Sequence, residues 1–448
     1  MATAPQTPRQ QSDPDLQTGL QYLRAGWFDR AEPLFKTAHG RYGDRPDILH
    51  YLAVCASQRG ALDESADLWR KALSKDPNEP MLSFNLGIVM RRLGNFDEAA
   101  RRFRDTIRRK PEHIEARLAL AGIHIDQGKF TAAERELADV ATNLDRALEL
   151  PDGGSFKPLQ ARARNMLGHV LYRLGHYNPA IEVLDMAAAD AGDDSRRRAT
   201  ILGDRALALG GLGHHDEAIA EAGKALELWP DNASLNHVLG FVLYFAGRIS
   251  DAIEPTEKAL QLNPGFPAAL RTLALAQKAA GRPDDAVKTL QQALTYNPRD
   301  RDSVLQLSFI HLEKDEFETA LQVLAPYLKA MPDDVRILNN AGLALRGLKR
   351  FDEARKVLKK ASRNATDDPL VLTNLGRVLV DLGRPAEARA LHEHALRGLP
   401  GDSALLTHYG ICLAALGDKD RARETLDAAL AANPDNKEAL DALTALQT

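Results

Sequence analysis

The sequence predicts an all-α array of stacked helical hairpins, and three recurrences carry that prediction. A hinge motif (glycine, two residues, usually an acidic pair, alanine five places after the glycine) returns from GWFDRA at 26 to GDKDRA at 417. Seven residues before each hinge stands a small residue, as at Gly19, Ala53, Gly87, Ser308, Gly342, Gly376 and Gly410. Seventeen residues after the hinge a proline is common, as at Pro77, Pro111, Pro230, Pro298 and Pro434. Nine of the eleven intervals between hinges are 34 residues, and internal periodicity of that length marks a repeat architecture.

Each part of the repeat has a physical reason. The small residue lets two antiparallel helices approach closely. The glycine takes the left-handed conformation that ends the first helix. The proline cannot continue the second helix and begins the link to the next unit. One hairpin leaves an apolar face that only a neighbour covers, so stability comes from stacking. At two hinges glycine is replaced, by Asp315 and Lys349. A left-handed backbone there costs about 1 kcal/mol each.

In this combination the chain resembles the tetratricopeptide repeat over almost its whole length. The resemblance implies a right-handed superhelical solenoid of about twelve repeats, with the first helix of each pair lining a concave groove. Residues 1–11 are expected to be a disordered tail, 12–150 repeats one to four, and 159–436 repeats five to twelve. Residues 437–448 are expected to form a capping helix whose Leu440 and Leu443 face the last repeat. Two longer intervals, 47 residues after position 128 and 38 after position 175, mark insertions. The first lengthens a second helix and ends in PDGGSFKP, an expected exposed loop at 151–158. The second falls around DAGDDSRRR.

Composition narrows the function classes. With 448 residues, 44% hydrophobic and 27% charged, the chain suits a folded array rather than one core. No apolar run has the length of a membrane span, and MATAPQTPRQQSDPD lacks the apolar stretch of a secretory signal. Two cysteines, Cys55 and Cys412, exclude a disulfide scaffold, and the expected compartment is the cytoplasm. An arginine-rich, alanine-rich and lysine-poor composition suggests a bacterial source. The net charge of −4 gives no reason to expect nucleic acid as a partner.

No nucleotide loop, metalloprotease motif or activated nucleophile occurs, and the repeats occupy the length a catalytic domain needs. The chain is therefore expected not to be an enzyme and to need no cofactor. Thirteen histidines form no metal set. In HEH at 392–394 the rings point to different sides of a helix. His408 and Cys412 share a face but are too few for zinc, and both cysteines read as small core residues.

Partner-binding candidates lie on the first helices. In NHVLGFVLYFAG (236–247) the stripe Val238, Leu239, Val242 and Leu243 serves the core. That leaves His237, Phe241, Tyr244 and Phe245 on a second, aromatic face, and exposed apolar patches mark interaction sites. One repeat earlier the matching places are Gly203, Leu207, Gly210 and Gly211, which reads as a surface nearly without side chains. Leu305, Phe309 and Leu312 continue the apolar character.

Gln306, Asn340, Asn374 and His408 recur at one-repeat spacing and resemble the asparagine ladder of O-GlcNAc transferase repeat domains. An amide pairs with a peptide unit through its donor and acceptor. Arg336, Asn339, Arg346 and Arg377 border this strip and offer charge-assisted contacts. The run 91–110 carries eight basic and three acidic residues, mostly on an outward second helix. Arg91 and Arg92 lie instead where an acidic partner segment would meet the first helix. Only Phe96 and Phe103 stand among these charges, too few for a stacking surface, which disfavours nucleic acid. The two-carboxylate clamp of chaperone-binding repeats needs an asparagine after the small position. That place holds Leu20, Ile88, Phe241 and Arg377, among others, and never asparagine.

The expected function is a protein-binding scaffold or adaptor that takes a peptide or helix into its groove. A recognition subunit for a separate enzyme such as a glycosyltransferase, and a self-assembling structural role, are the alternatives. The oligomeric state is left open.

Overall fold

The computed structural model describes residues 13–149 and 153–446. The expected N-terminal tail and Pro151 and Asp152 of the expected loop lie outside the described residues. The described residues form 25 α-helices and no strand. Contacts divide the chain at Asp231/Asn232 into two compact units.

The N-terminal unit holds α1 (Pro14–Arg24), α2 (Phe28–Tyr42), α3 (Pro46–Gln58), α4 (Leu62–Lys75), α5 (Pro80–Arg92) and α6 (Phe96–Arg109). It continues with α7 (Ile114–Asp126), α8 (Phe130–Leu148), α9 (Lys157–Arg173), α10 (Tyr177–Asp190), α11 (Ser195–Gly211) and α12 (His215–Leu228). The C-terminal unit holds α13 (Ala233–Phe245), α14 (Ile249–Leu262), α15 (Pro267–Ala279), α16 (Pro283–Tyr296), α17 (Arg301–Glu313) and α18 (Phe317–Ala330). It ends with α19 (Val335–Gly347), α20 (Phe351–Asn364), α21 (Pro369–Asp381), α22 (Pro385–Gly398), α23 (Ser403–Ala415), α24 (Lys419–Ala432) and α25 (Lys437–Ala445).

Within each unit consecutive helices pair as hairpins, for the reasons the sequence supplies. Every hinge is left-handed, from Gly26 (φ 77°) to Gly417 (φ 84°). Asp315 (φ 57°) and Lys349 (φ 58°) are the only non-glycine residues with positive φ among the described residues. Lysine has no local side-chain hydrogen bond to offset the left-handed cost. Lys349→Gly is expected to raise stability by about 1 kcal/mol, read by urea unfolding. An unchanged midpoint would show that the cost is relieved elsewhere.

The small residue before each hinge sits against the second helix. A Cβ on Gly87 would lie 2.7 Å from the Phe103 ring, and one on Gly342 would lie 2.4 Å from Leu358. Between hairpins the apolar faces close on each other. Trp69, Leu86, Phe103, Leu120 and Ile123 form one continuous core through α4–α7.

The first insertion lengthens α8 to Leu148, as expected. The expected loop is shorter than 151–158, because a 3-10 turn spans Gly153–Phe156 and α9 begins at Lys157. Pro158 is the reason: near a helix start its missing N–H costs nothing. Packing is unbroken here, since Leu137, Val140 and Leu144 of α8 share a core with Ala163 and Val170 of α9. Asp145 ties the extension down by accepting from Gln160 and Arg164. The second insertion lengthens α11 at its start, where the Asp194 carboxylate accepts from the Arg197 N–H at 2.9 Å.

Helix α25 packs beside α24 with a different face from the one expected of a cap. Ala439 and Leu446 are buried and Leu443 packs beside them, whereas Leu440 is 53% exposed. A stripe at i, i+4, i+7 covers α24, and Leu440 falls outside it.

Candidate functional site

The first helices α13, α15, α17, α19, α21 and α23 of the C-terminal unit carry most of the candidate residues. On α13 the core stripe is buried at Val238, Val242 and Leu243. The second face is a run of rings. His237 lies 5.1 Å from Phe266 and 5.9 Å from Phe241, and Phe241 lies 4.6 Å from Phe245. Tyr244 meets Phe245 edge-on at 5.2 Å. His237, Phe241 and Tyr244 are half-buried, and Phe245 is 54% exposed. Phe266, the residue before α15, is a member that sequence reasoning missed, because it lies in a linker outside the helical register.

Burial, followed by the charge of Arg271, pushes the His237 imidazole down to about 4. It is neutral at pH 7, and Nε2 lies 3.0 Å from the Thr272 hydroxyl. Phe309 is exposed, but Lys278 from α15 stacks over its ring at 4.7 Å. The apolar character therefore reaches α17 in a cation-capped form.

In the N-terminal unit the surface expected to be bare is not so. Gly203 is buried, and a Cβ on Gly211 would lie 2.4 Å from the Tyr177 ring. A glycine marks a missing side chain on its own helix, and the tyrosine of the preceding pair fills that space.

The amide strip is assembled, with its donors used internally. Asn374 Nδ2 donates to Asn339 Oδ1 at 2.9 Å. Asn340 Nδ2 donates to Ser308 Oγ at 3.0 Å and to the Leu305 carbonyl at 3.4 Å. Asn374 and His408 are buried, and Gln306 Oε1 is buried without a partner. A ladder that grips a peptide needs donor and acceptor together, so these rungs offer half of that. Asn340→Ala combined with Asn374→Ala is expected to lower stability by roughly 1–3 kcal/mol. Urea unfolding reads this, and an unchanged midpoint would return the amides to a ligand.

Asn374, Arg377 and His408 do come together, lining a cleft of about 190 Å³ with Leu370 and Leu399 at its edge. Leu370 is 63% exposed. Burial, then the neighbouring Arg346 charge, brings the Arg377 guanidinium down to about 10, so it is still a cation at pH 7. Its Nη2 lies 3.8 Å from the Glu438 carboxylate, and its Nε is buried without a partner. Burial, with Arg377 beside it, pushes His408 down to about 2, so that ring is neutral.

Several candidate arginines already have partners. Arg346 pairs with Asp381 at 2.5 Å. Arg91 pairs with Asp126 at 2.8 Å, and Arg92 donates to the Ser57 hydroxyl at 2.9 Å. Among the candidate arginines Arg336 is exposed with neither an ion pair nor a side-chain hydrogen bond among the described residues. These contacts follow a rule that the 34-residue period hides: neighbouring first helices meet at a separation of 35. Arg91–Asp126, Lys278–Glu313, Arg346–Asp381 and Asn339–Asn374 all obey it. Complementary residues 35 apart were the available signal. Part-exposed ion pairs add little stability, so their main effect is to neutralise the face.

Both cysteines are buried core residues whose thiols burial pushes up to about 11. In HEH, His392 is fully buried and His394 pairs with Asp367 at 2.9 Å on the surface. No group of three metal-ligating side chains occurs among the described residues, and no described helix is long and apolar enough to cross a membrane.

The hairpin array defines a helical-repeat protein, and comparison with known families specifies it. Models of the tetratricopeptide repeat match residues 16–80, 84–145 and 204–267, then 256–308, 279–344, 333–401 and 379–446. These matches span more than half of the sequence, and the chain belongs to the tetratricopeptide repeat family. No curated protein matches it. Among solved structures it is similar to the Cut9–Hcn1 hetero-tetramer of the APC/C, at 13% identity and TM-score 0.50 over 97% of each chain. Yeast Tom70 aligns at 16% identity and TM-score 0.45, over 96% of this chain and 94% of that one. A tetratricopeptide repeat protein from Parabacteroides merdae aligns at 16% identity and TM-score 0.48, over 56% of this chain and all of that one. Tetratricopeptide repeats generally mediate protein–protein interactions and serve as non-catalytic scaffolds.

Proposed function

We propose that the chain is a non-enzymatic adaptor that binds a peptide segment or helix of a protein partner on the first-helix face of its C-terminal unit. The observation that carries this reading is the ring run Phe266–His237–Phe241–Phe245, which ends in a Phe245 that is 54% exposed. Aromatic anchors dominate binding energy at interfaces, and contiguous exposed apolar patches mark such places. The cleft at Asn374, Arg377 and His408 lies farther along the same series of first helices. It supplies a polar contact for the same ligand.

Affinity capture with the full chain, compared with Phe241→Ala/Phe245→Ala, tests the reading. A partner held by the native chain and lost by the variant supports it. Identical captured proteins from both chains overturn it. A catalytic chain among the lost partners would identify a recognition subunit, and only a second copy of this chain would identify self-assembly.

A further inference from the structure

The second half of the arginine run lies away from the first-helix face, on α6. There α4, α5 and α6 frame an open cleft of about 310 Å³, lined by Arg70, Arg102 and Arg109 with Ser74, Ser83 and Asp105. Ser83 lies in its lining. It stands four residues before the small residue of its repeat, a place that holds buried Leu49, Leu270, Val304, Leu338 and Leu372 in five other repeats and polar Asp15, Arg117, Arg164 and Asn236 in four. Its hydroxyl is also left in an unusual state: Ser83 is 1% exposed, and Oγ has no hydrogen-bond partner. Arg102 Nε is likewise buried without a partner. Buried polar groups are normally paired, so two orphans at one cleft point to a missing polar ligand.

The local charge indicates its sign and size. Arg70 pairs with Glu98 at 3.0 Å and Asp67 at 3.2 Å. Arg102 and Arg101 share the same Glu98, at 3.3 Å and 3.7 Å. Arg108 pairs with Asp105, which also lies 4.0 Å from Arg102, whereas Arg109 donates only to the Asp105 carbonyl, at 3.2 Å. Five guanidinium groups thus share three carboxylates around the cleft, two of them, Arg101 and Arg108, outside its lining. The lining itself carries three arginines and one carboxylate. A phosphate monoester carries about −1.5 to −2 at pH 7 and offers three acceptor oxygens.

We propose that this cleft binds a phosphorylated serine or threonine of a protein partner, with Arg102 and Arg109 on the phosphate oxygens and the Ser83 hydroxyl donating from the floor. Leu73 and Pro77 line the same cleft and offer apolar contact to residues beside the phosphate, which a free anion could not use. The proposal is independent of the first-helix face.

The test is fluorescence anisotropy with the full chain and a degenerate peptide pool carrying a central phosphoserine, against its unphosphorylated twin and against inorganic phosphate. The phosphorylated pool is expected to bind at least tenfold tighter than its twin. Ser83→Leu, which restores the core residue used elsewhere, should abolish that preference while the melting temperature holds or rises. Arg109→Gln, on an exposed side chain, should weaken binding of the phosphorylated pool several-fold and keeps the test decisive if Ser83→Leu misfolds. Equal binding of both pools overturns the proposal, as does a Ser83→Leu chain that still discriminates. Inorganic phosphate competing as well as the peptide pool identifies a free anion as the occupant and also overturns it.

Discussion

His392→Leu is expected to stabilise the chain by about 1–3 kcal/mol at neutral pH, and by more in mild acid. His392 is fully buried on α22, and neither ring nitrogen has a hydrogen-bond partner. An unpaired buried polar group costs about 1–3 kcal/mol. The same register position holds Leu137, Leu184, Leu290, Leu324, Leu358 and Leu426, all fully buried. Leucine also fits the local geometry. Leu184, Leu358 and Leu426 each pack against the glycine of their own hairpin (Gly168, Gly342 and Gly410), as His392 packs against Gly376.

The acid response has a definite sign. Burial, with Arg377 adding to it, pushes the imidazole from 6.5 down to about 4. Below pH 6.5 the unfolded chain takes up a proton that the folded chain refuses until about pH 4. Stability is therefore fully present above 6.5 and is lost as the pH falls through that window. One unit corresponds to about 1.4 kcal/mol, so His392 alone costs roughly 2 kcal/mol more at pH 5 than at neutral pH. His237, also held at about 4, keeps part of the acid slope in the variant. Urea unfolding at pH 7.5 and pH 5 measures both effects. A variant less stable at pH 7.5 would mean that the ring shape matters more than its two unpaired nitrogens.

The same column of residues shows what a sequence of this kind makes legible. The period of 34 places each residue in a register, so the hinge glycines, the close helix approach and the buried cysteines could all be read before any coordinates. His392 was visible in that column as a polar residue where most repeats carry a large apolar one. What the period does not show is which residues of adjacent repeats touch. Arg91, Arg346 and Asn374 looked available because their columns were read at 34, whereas neighbouring first helices meet at 35. The capping helix has no following repeat to set its register, so the choice of Leu440 over Ala439 had no second observation to correct it. Gly211 failed for a related reason, since the side chain that covers it belongs to another helix.

Phe241→Ala/Phe245→Ala is expected to lose about 2 kcal/mol or more of partner affinity, some thirtyfold in Kd, while the chain stays folded. The two rings contribute unequally to stability. Phe245 is 54% exposed, so its truncation removes little buried surface. Phe241 is half-buried between His237 and Phe245, and its truncation costs more, though less than the 3–5 kcal/mol of a core phenylalanine. The single Phe245→Ala variant therefore separates binding from packing: its melting curve should overlay the native one while its affinity falls. Titration calorimetry against a captured partner, beside urea unfolding of each variant, gives both quantities. If Phe245→Ala binds as the native chain does, and the double variant unfolds early yet binds normally when folded, the ring run is packing. The binding face would then have to be sought at the Asn374, Arg377 and His408 cleft, where Arg377→Met provides the corresponding measurement.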